Sequence, residues 1–170
     1  VMIGFSDLIT DESIDPLEKK QFSQTLKRNG EQLTLLINDI LDLSKVESGY
    51  LKIEMIEFSL RAVVDDVLSA MRVKADAKGL KLQLNIDQNV NDRIESDPTR
   101  LRQILFNLVG NAVKFTKAGE VKLLIRESPG HLQLEIQDTG IGIPAEHGTA
   151  LFKPFSQGDE SMTRKFGGTG

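Results

Sequence analysis

Apolar residues recur at helical, near-heptad spacing in the first third of the chain, and this pattern constrains the fold more than any other feature. The stripe comprises Phe22, Leu26, Leu33, Leu36, Ile37, Ile40 and Leu43, three of which are spaced seven residues apart. Such spacing is typical of a helix with one apolar face. We predict a helix from Leu17 to Glu47, about 31 residues and roughly 46 Å long. Pro16 lies in its first turn, and Ser48-Gly49 ends it.

An apolar stripe of this length requires a partner. Residues 1–10 carry Val1, Met2, Phe5, Leu8 and Ile9 at helical spacing without a preceding N-cap residue, so we expect the chain to begin inside a first helix. That short segment cannot cover the long stripe. We therefore predict that residues 1–50 form a helical hairpin, which dimerises into a four-helix bundle.

Charge and composition exclude several classes of function. The 170 residues carry a net charge of −4, and residues 1–50 hold five basic against nine acidic side chains, which disfavours a nucleic-acid partner. The chain has no cysteine and only His131 and His147, which excludes disulfides, thiolate zinc sites and multi-histidine centres. No apolar run reaches the roughly 18 to 20 residues that cross a bilayer. We expect no membrane contact by this segment and a cytoplasmic location, although a parent protein anchored in a membrane is compatible with this.

Beyond Gly49 the pattern changes to alternating helices and strands. The predicted elements are a helix capped by Ser59 and stopped by Gly79, a strand over 80–86, a helix from Asp97-Pro98 to about Thr116, and strands over 119–127 and 131–138. We predict an α+β protein, in which residues 51–170 form a two-layer α/β sandwich with a mixed sheet. The ending F-G-G-T-G has no element to pack, so we expect this domain to be incomplete at its C-terminus.

The helix over 98–116 carries an unusual polar flank. Its predicted core face is Leu101, Ile104, Leu105, Leu108, Ala112 and Phe115. Asn107, Asn111 and Lys114 follow the flank at positions i, i+4 and i+7. Because asparagine is a mediocre helix former, two of them on one stripe need a reason. Two interpretations stay open: the amides bond a neighbouring loop or water, or their oxygens ligate a hard cation while Lys114 meets phosphates.

The strand over 131–138 ends in a carboxylate. Period-2 alternation places Asp138 on the same buried face as Leu132, Leu134 and Ile136, where it needs a hydrogen-bond donor. One interpretation is an Asp that forms the D-T-G turn. The other is an acceptor for the exocyclic amine of a base such as adenine, which Gly140 and Gly142 would allow to approach the backbone.

Two further motifs lie near the end of the chain. In F-K-P-F, Phe152 and Phe155 are expected to anchor a loop onto the domain. Gly167, Gly168 and Gly170 either present backbone N–H groups to a phosphate or form a flexible terminus. This loop is not a Walker A motif, because no G-K-[ST] closes it.

Taken together, these motifs resemble those of a known family. The series L-R-Q-I-L-F-N-L-V-G-N-A-V-K-F-T (101–116), D-T-G-I-G-I (138–143), F-K-P-F (152–155) and G-G-T-G (167–170) resembles the N, G1, F and G2 boxes of sensor histidine kinases. Residues 1–50 resemble the dimerisation and phosphotransfer hairpin of that family. Gyrase-type topoisomerases, mismatch-repair ATPases and a heat-shock chaperone share the ATP-binding fold, but the attached hairpin favours the kinases.

The resemblance implies a site for ATP and Mg²⁺. Asp138 would receive the adenine amine, Asn111 helped by Asn107 would hold the metal, and Lys114 would neutralise phosphate charge. Residues 144–166 would form a lid. The implied nucleotide-binding set is Asn107, Asn111, Lys114, Phe115, Asp138, Gly140, Gly142, Ile143, Gly168, Thr169 and Gly170.

The resemblance also implies an activity for the parent protein. The γ-phosphoryl group of ATP would pass to a hairpin histidine and then to an aspartate of a response-regulator receiver domain, with the kinase acting as a homodimer. Neither His131 nor His147 fits the acceptor motif, so we expect that histidine to precede Val1 and this piece not to autophosphorylate. The alternative is a nucleotide-sensing and dimerisation module without catalysis. A topoisomerase-type or chaperone-type ATPase ranks last, because 99–119 contains no water-activating carboxylate.

Overall fold

The structure, a computed structural model, describes residues 14–143. The chain divides into two compact units, residues 1–52 and 53–170. The first helix expected over residues 1–10, the lid over 144–166 and the F-K-P-F and G-G-T-G motifs lie outside the described residues. None of the helices within 14–143 combines the length and the apolar character needed to cross a membrane.

The described part of the first unit is dominated by one long helix, α1 (Pro16–Glu47). Asp15 caps it, with a carboxylate oxygen that accepts a hydrogen bond from the Leu17 N–H at 2.7 Å, and Ser48 is its C-cap. The predicted long helix is therefore confirmed. Of the side chains described between residues 14 and 52, none is fully buried. Within the predicted apolar stripe, Leu33, Ile37 and Ile40 are exposed and the other four residues are partly buried.

The second unit contains two helices and two small sheets. Strands β1 (Ile56–Ser59) and β3 (Arg93–Ser96) pair antiparallel. Strand β4 (Glu120–Ser128) lies between β2 (Lys81–Ile86), which is parallel to it, and β5 (His131–Asp138), which is antiparallel. Helices α2 (Leu60–Asp76) and α3 (Pro98–Phe115) complete the unit. The predicted α+β class with a mixed sheet is confirmed.

Strands β1 and β3 did not emerge from the sequence. Each is four residues long, and over so few residues an alternating pattern cannot be distinguished from the sequence of a loop. Their positions are set by pairing with each other and by the helix caps that follow them, so their formation depends on tertiary context.

The core of the second unit is formed by α2, α3 and the three-stranded sheet. Helix α2 contributes its buried face, and β4 contributes the fully buried Val121, Leu123 and Ile125. The predicted core face of α3 was wrong in part. Ile104 and Leu108 are 55% and 44% exposed, while the buried residues of this helix are Leu105, Val109, Ala112 and Val113. The apolar arc of α3 is wider than the surface available to cover it, so one edge stays in solvent.

Two aspartates tie the short β1–β3 sheet to the helices. At the start of α2, the Arg61 N–H and the Ser59 hydroxyl both donate to Asp92 at 2.9 Å. At the start of α3, Asp97 is 7% exposed and accepts hydrogen bonds from the N–H groups of Thr99, Arg100 and Glu54. Backbone donors, that of Arg100 first, lower the pKa of Asp97. The Arg61 backbone N–H, followed by the Ser59 hydroxyl, lowers the pKa of Asp92.

Candidate functional site

The asparagine part of the polar flank of α3 is exposed to solvent. Asn107 and Asn111 are both exposed and lie one turn apart, about 6 Å along the helix axis. They share this solvent-facing side of the helix with Ile104 and Leu108. Two amide groups and two apolar side chains therefore form one open surface, in which the amide oxygens are accessible to a cation or to water.

The C-terminal turn of α3 adds a positive charge and an aromatic ring. The Lys114 ammonium lies 5.0 Å from the centroid of the Phe115 ring, within the range of a cation–π interaction. Both side chains are partly buried. Lys114 is three residues beyond Asn111, on the adjacent turn of the same helix, so an anion bound near the amide of Asn111 would lie within reach of this cation.

Sequence analysis missed a second lysine at this turn. The Lys78 ammonium donates hydrogen bonds to the backbone carbonyls of Val113 at 2.7 Å and Lys114 at 2.8 Å, with a longer one to Thr116 at 3.4 Å. Lys78 therefore caps the C-terminus of α3 from the turn after α2. The only sequence signal was its place before Gly79, which marks the helix stop and gives no sign of a partner 35 residues away.

Asp138 is exposed, and the prediction that it is buried was wrong. The alternation of β5 continues to this residue, but Asp138 is the last residue of the strand and pairs with Val121 near the start of β4. At this end of the strand the Asp138 side chain is exposed to solvent. Its Oδ1 accepts a hydrogen bond from the Gly140 N–H at 2.8 Å, so the predicted turn-forming bond exists. A carboxylate has about four acceptor sites, and Asp138 retains capacity for a ligand donor.

Thr139 joins the D-T-G segment to the loop after α3. Its hydroxyl accepts from the Glu120 N–H at 3.0 Å and donates to the Ala118 carbonyl at 3.2 Å, while its own N–H donates to the Glu120 carbonyl at 3.2 Å. A Cβ at Gly119 would overlap this hydroxyl. Thr139 therefore connects the D-T-G segment by hydrogen bonds to Ala118 and Glu120, which follow α3.

Gly140 brings the two motifs together. A Cβ on this residue would lie 2.7 Å from Asp138 Oδ1 and 2.9 Å from the carbonyl oxygen of Phe115. Only glycine allows so close an approach without a shift of backbone. The D-T-G segment thus lies against the last residue of α3, one helical turn beyond Asn111. That the Asn111 amide and the Asp138 carboxylate face the same ligand stays a prediction.

Gly142 has a different requirement. Nothing lies within 4 Å of an added Cβ, but its φ is +70°, a conformation that residues with a side chain rarely adopt. The neighbouring Ile141 and Ile143 are 50% and 66% exposed. The predicted Ile143 site residue therefore lies at an open surface. Gly168, Thr169 and Gly170 lie outside the described residues.

The donor set fits a nucleotide with a hard cation. Within residues 14–143, no three His, Asp or Glu side chains cluster to hold a metal ion. The described groups around the end of α3 are two exposed amides, the Lys114 ammonium, one exposed carboxylate and a glycine cradle, and Lys78 adds a second ammonium that is bonded to backbone carbonyls. Amide and phosphate oxygens are ligands that Mg²⁺ accepts.

Two family models match the two parts of the chain. Residues 1–49 match the family model "His Kinase A (phospho-acceptor) domain". Residues 96–170 match the model "Histidine kinase-, DNA gyrase B-, and HSP90-like ATPase". The first segment covers the predicted hairpin. The second contains helix α3, with its two asparagines, and the D-T-G segment.

Individual relatives extend the match over nearly the whole chain. The signal transduction histidine-protein kinase BarA of Escherichia coli K12 is 42% identical over 174 residues, covering 99% of this chain and 19% of BarA. Among solved structures, the Acinetobacter baumannii histidine kinase AdeS has a TM-score of 0.75 at 30% identity, covering 91% of this chain and 75% of AdeS. Full-length ShkA in complex with AMPPNP has a TM-score of 0.73 at 29% identity, covering 82% of this chain and 30% of ShkA. By sequence and fold, the chain belongs to the sensor histidine kinases of two-component systems.

Proposed function

We propose that residues 53–170 bind Mg·ATP and that the protein containing them phosphorylates a histidine of its own hairpin. The observation that carries this proposal is the close approach of Gly140 to the Phe115 carbonyl. That approach joins the D-T-G carboxylate to the helix bearing the asparagines. The kinship with ShkA, solved in complex with AMPPNP, supports an adenine nucleotide as the ligand.

Asp138 recognises the base in this proposal. An exposed carboxylate at the end of β5 accepts a hydrogen bond from the exocyclic amine of adenine, and its bond to the Gly140 N–H fixes the orientation of the carboxyl plane. Guanine carries a carbonyl oxygen at the corresponding position, which would repel a carboxylate. The site therefore favours ATP over GTP.

The α3 flank recognises the phosphates. Asn111, with Asn107 one turn earlier, supplies amide oxygens to Mg²⁺, and Lys114 balances the negative charge of the phosphate chain. When bound, the metal neutralises charge on the transferred phosphoryl group. Phe115 and Ile143 add apolar surface beside the base, and Gly168, Thr169 and Gly170 are proposed to present N–H groups to the phosphates.

The transfer itself needs a histidine that these 170 residues do not supply at the matching position. A nitrogen of its imidazole would form a bond to the γ-phosphorus as the bond to the β–γ bridging oxygen breaks, releasing ADP. An aspartate of a response-regulator receiver domain would then take the phosphoryl group. We propose a homodimer through the residue 1–50 hairpin and a cytoplasmic location, where ATP is available. A module without catalysis is not favoured by the family.

Nucleotide binding tests the site. A fluorescent ATP analogue should bind the wild type in a Mg²⁺-dependent manner, and Asn111→Ala and Asp138→Asn should each raise Kd at least about tenfold, since each removes a charge-assisted or metal contact. Asn85→Ala and Asp65→Asn, at exposed positions on β2 and α2, serve as matched controls. Unchanged affinity in both site variants would defeat the assignment.

Phosphoryl transfer tests the activity. With γ-labelled ATP, the 170-residue chain should take up no label, while a longer chain that includes the hairpin histidine should become labelled in an acid-labile form, as expected for a phosphoimidazole. Label on the 170-residue chain would contradict the proposed position of the acceptor. Nucleotide binding without label on the longer chain would favour the non-catalytic module.

A further inference from the structure

Lys78 occupies the C-terminal end of α3 although it belongs to the turn after α2. Its ammonium lies 2.7 Å from the Val113 carbonyl, 2.8 Å from the Lys114 carbonyl and 3.4 Å from that of Thr116. An ammonium has three N–H donors, and here each has a carbonyl acceptor. The last carbonyls of a helix have no partner within it and carry the negative end of its dipole. The Lys78 ammonium thus supplies donors to these carbonyls and also balances the negative end of the α3 dipole.

The backbone that carries Lys78 is itself held in place. After α2 ends, the Lys78 and Leu80 N–H groups both donate to the Ala75 carbonyl at 3.0 Å, and Gly79 has a φ of +68°. This tight turn ends α2 and leads directly into β2. The Lys78 stem therefore starts from a fixed point between two packed elements, which reduces the number of conformations lost when the ammonium bonds to α3.

The turn that Lys78 holds is the one on which both halves of the site depend. Lys114 and Phe115 lie in it, and Asn111 lies one turn before Phe115. The Phe115 carbonyl is in contact with Gly140, while Lys78 bonds the carbonyls of the residues on either side of Phe115. A change in the path of residues 113–116 would therefore move the phosphate side of the site and the base side relative to each other.

We infer that Lys78 is a positioning residue for nucleotide binding. It fixes the C-terminal turn of α3 so that the asparagine flank and the D-T-G segment face one ligand. This inference rests on the proposed function. Lys78 acts through the backbone of α3 and does not itself contact phosphate, because its three donors are directed at carbonyl oxygens.

The test compares Lys78→Met, Lys78→Arg and the control Lys74→Met, an exposed lysine one turn earlier on α2. Affinity for Mg²⁺ and a fluorescent ATP analogue is measured together with amide hydrogen exchange without nucleotide. Lys78→Met should raise Kd about tenfold, the usual size of an outer-shell effect. It should also accelerate exchange of the Thr116 N–H, which donates to the Ala112 carbonyl. Lys78→Arg should restore most of both, and Lys74→Met should match the wild type.

The outcomes separate this inference from the proposed function. If the wild type does not bind the analogue, the proposed function fails. If the wild type binds and Lys78→Met binds equally well, or if Kd rises while Thr116 exchange is unchanged, the positioning role is overturned. Should Lys78→Met fail to fold, Lys78→Gln takes its place, because its shorter neutral amide keeps two donors. A Gln variant with wild-type affinity and exchange would likewise overturn the inference.

Discussion

Helix α1 and the unit that follows it use apolar residues in opposite ways. On α1, Leu33, Ile37 and Ile40 are about half exposed, and no described side chain between residues 14 and 52 is fully buried. In the second unit, 16 apolar residues between Leu60 and Ile125 form one buried core. Among the described residues, the second unit thus buries its apolar side chains in a core, whereas those described on α1 stay at least partly exposed.

The difference indicates where each region obtains its stability. Within the described residues, the 32-residue helix α1 buries no side chain fully, so we expect it to gain stability by packing against other helices. The second unit has its own core, which holds the elements that carry the proposed nucleotide site. Changes on α1 should therefore affect association, whereas changes in the core should affect folding.

Leu105→Ala tests the core and should produce the largest effect. Leu105 is fully buried on α3, so its truncation removes apolar contacts and leaves a cavity, which costs about 3 kcal/mol of unfolding free energy. Urea unfolding, monitored through hydrogen exchange of the β4 amides, measures this loss of unfolding free energy. The matched control is Leu17→Ala, because Leu17 is 65% exposed, and it should leave β4 unaffected. Equal losses in both variants would contradict the contrast between the units.

Ile40→Asp tests the helix. If the stripe forms the dimer seam, each chain would bring an unpaired carboxylate into an apolar interface, and the dimer Kd should rise at least about 100-fold. Sedimentation at several concentrations measures this change. Asn38→Asp adds the same charge at an exposed position off the stripe and should leave the dimer intact. Dissociation by both variants would indicate a general charge effect and not a specific seam.

Asp97→Asn sharpens the comparison through pH. The folded-state pKa of Asp97 is lowered, first by the Arg100 N–H, so the ionised carboxylate stabilises the folded second unit. That contribution is fully present above the ordinary pKa of about 3.9 and is lost as pH falls through the folded value.

Asparagine retains the N-cap acceptor but not the charge. The variant should be less stable than wild type at neutral pH, and the difference should shrink below about pH 4. Urea midpoints measured across that range test this, and Asp65→Asn, on the exposed face of α2, is the control. A constant difference at every pH would contradict the linkage.

The sequence predicted those parts of the fold that leave a periodic or capping signal. The helical spacing of α1, the Asp97-Pro98 start of α3 and the strand signals of β4 and β5 each result from local geometry, and the elements they predicted were confirmed. Asp138 was placed on the correct strand, but its exposure was wrong, because the covering layer of helices is a tertiary property. Lys78 could not be found at all. Its partners are about 35 positions away, and nothing in a lysine indicates which carbonyls it will meet.

Gly110→Ala should have the smallest effect and should leave both contrasts intact. Gly110 lies inside α3 between the two asparagines, and an added Cβ would meet only the Met71 side chain at 4.0 Å, an ordinary contact. Alanine is a better helix former and restricts the unfolded chain, so the second unit should gain about 0.5–1 kcal/mol. Affinity for the ATP analogue should not change, because the backbone of α3 is preserved.

Gly140→Ala is the opposite case: its Cβ would overlap the Phe115 carbonyl, so it should weaken binding. If Gly110→Ala weakened binding as much, the site would depend on the middle of α3 and not on its C-terminal turn.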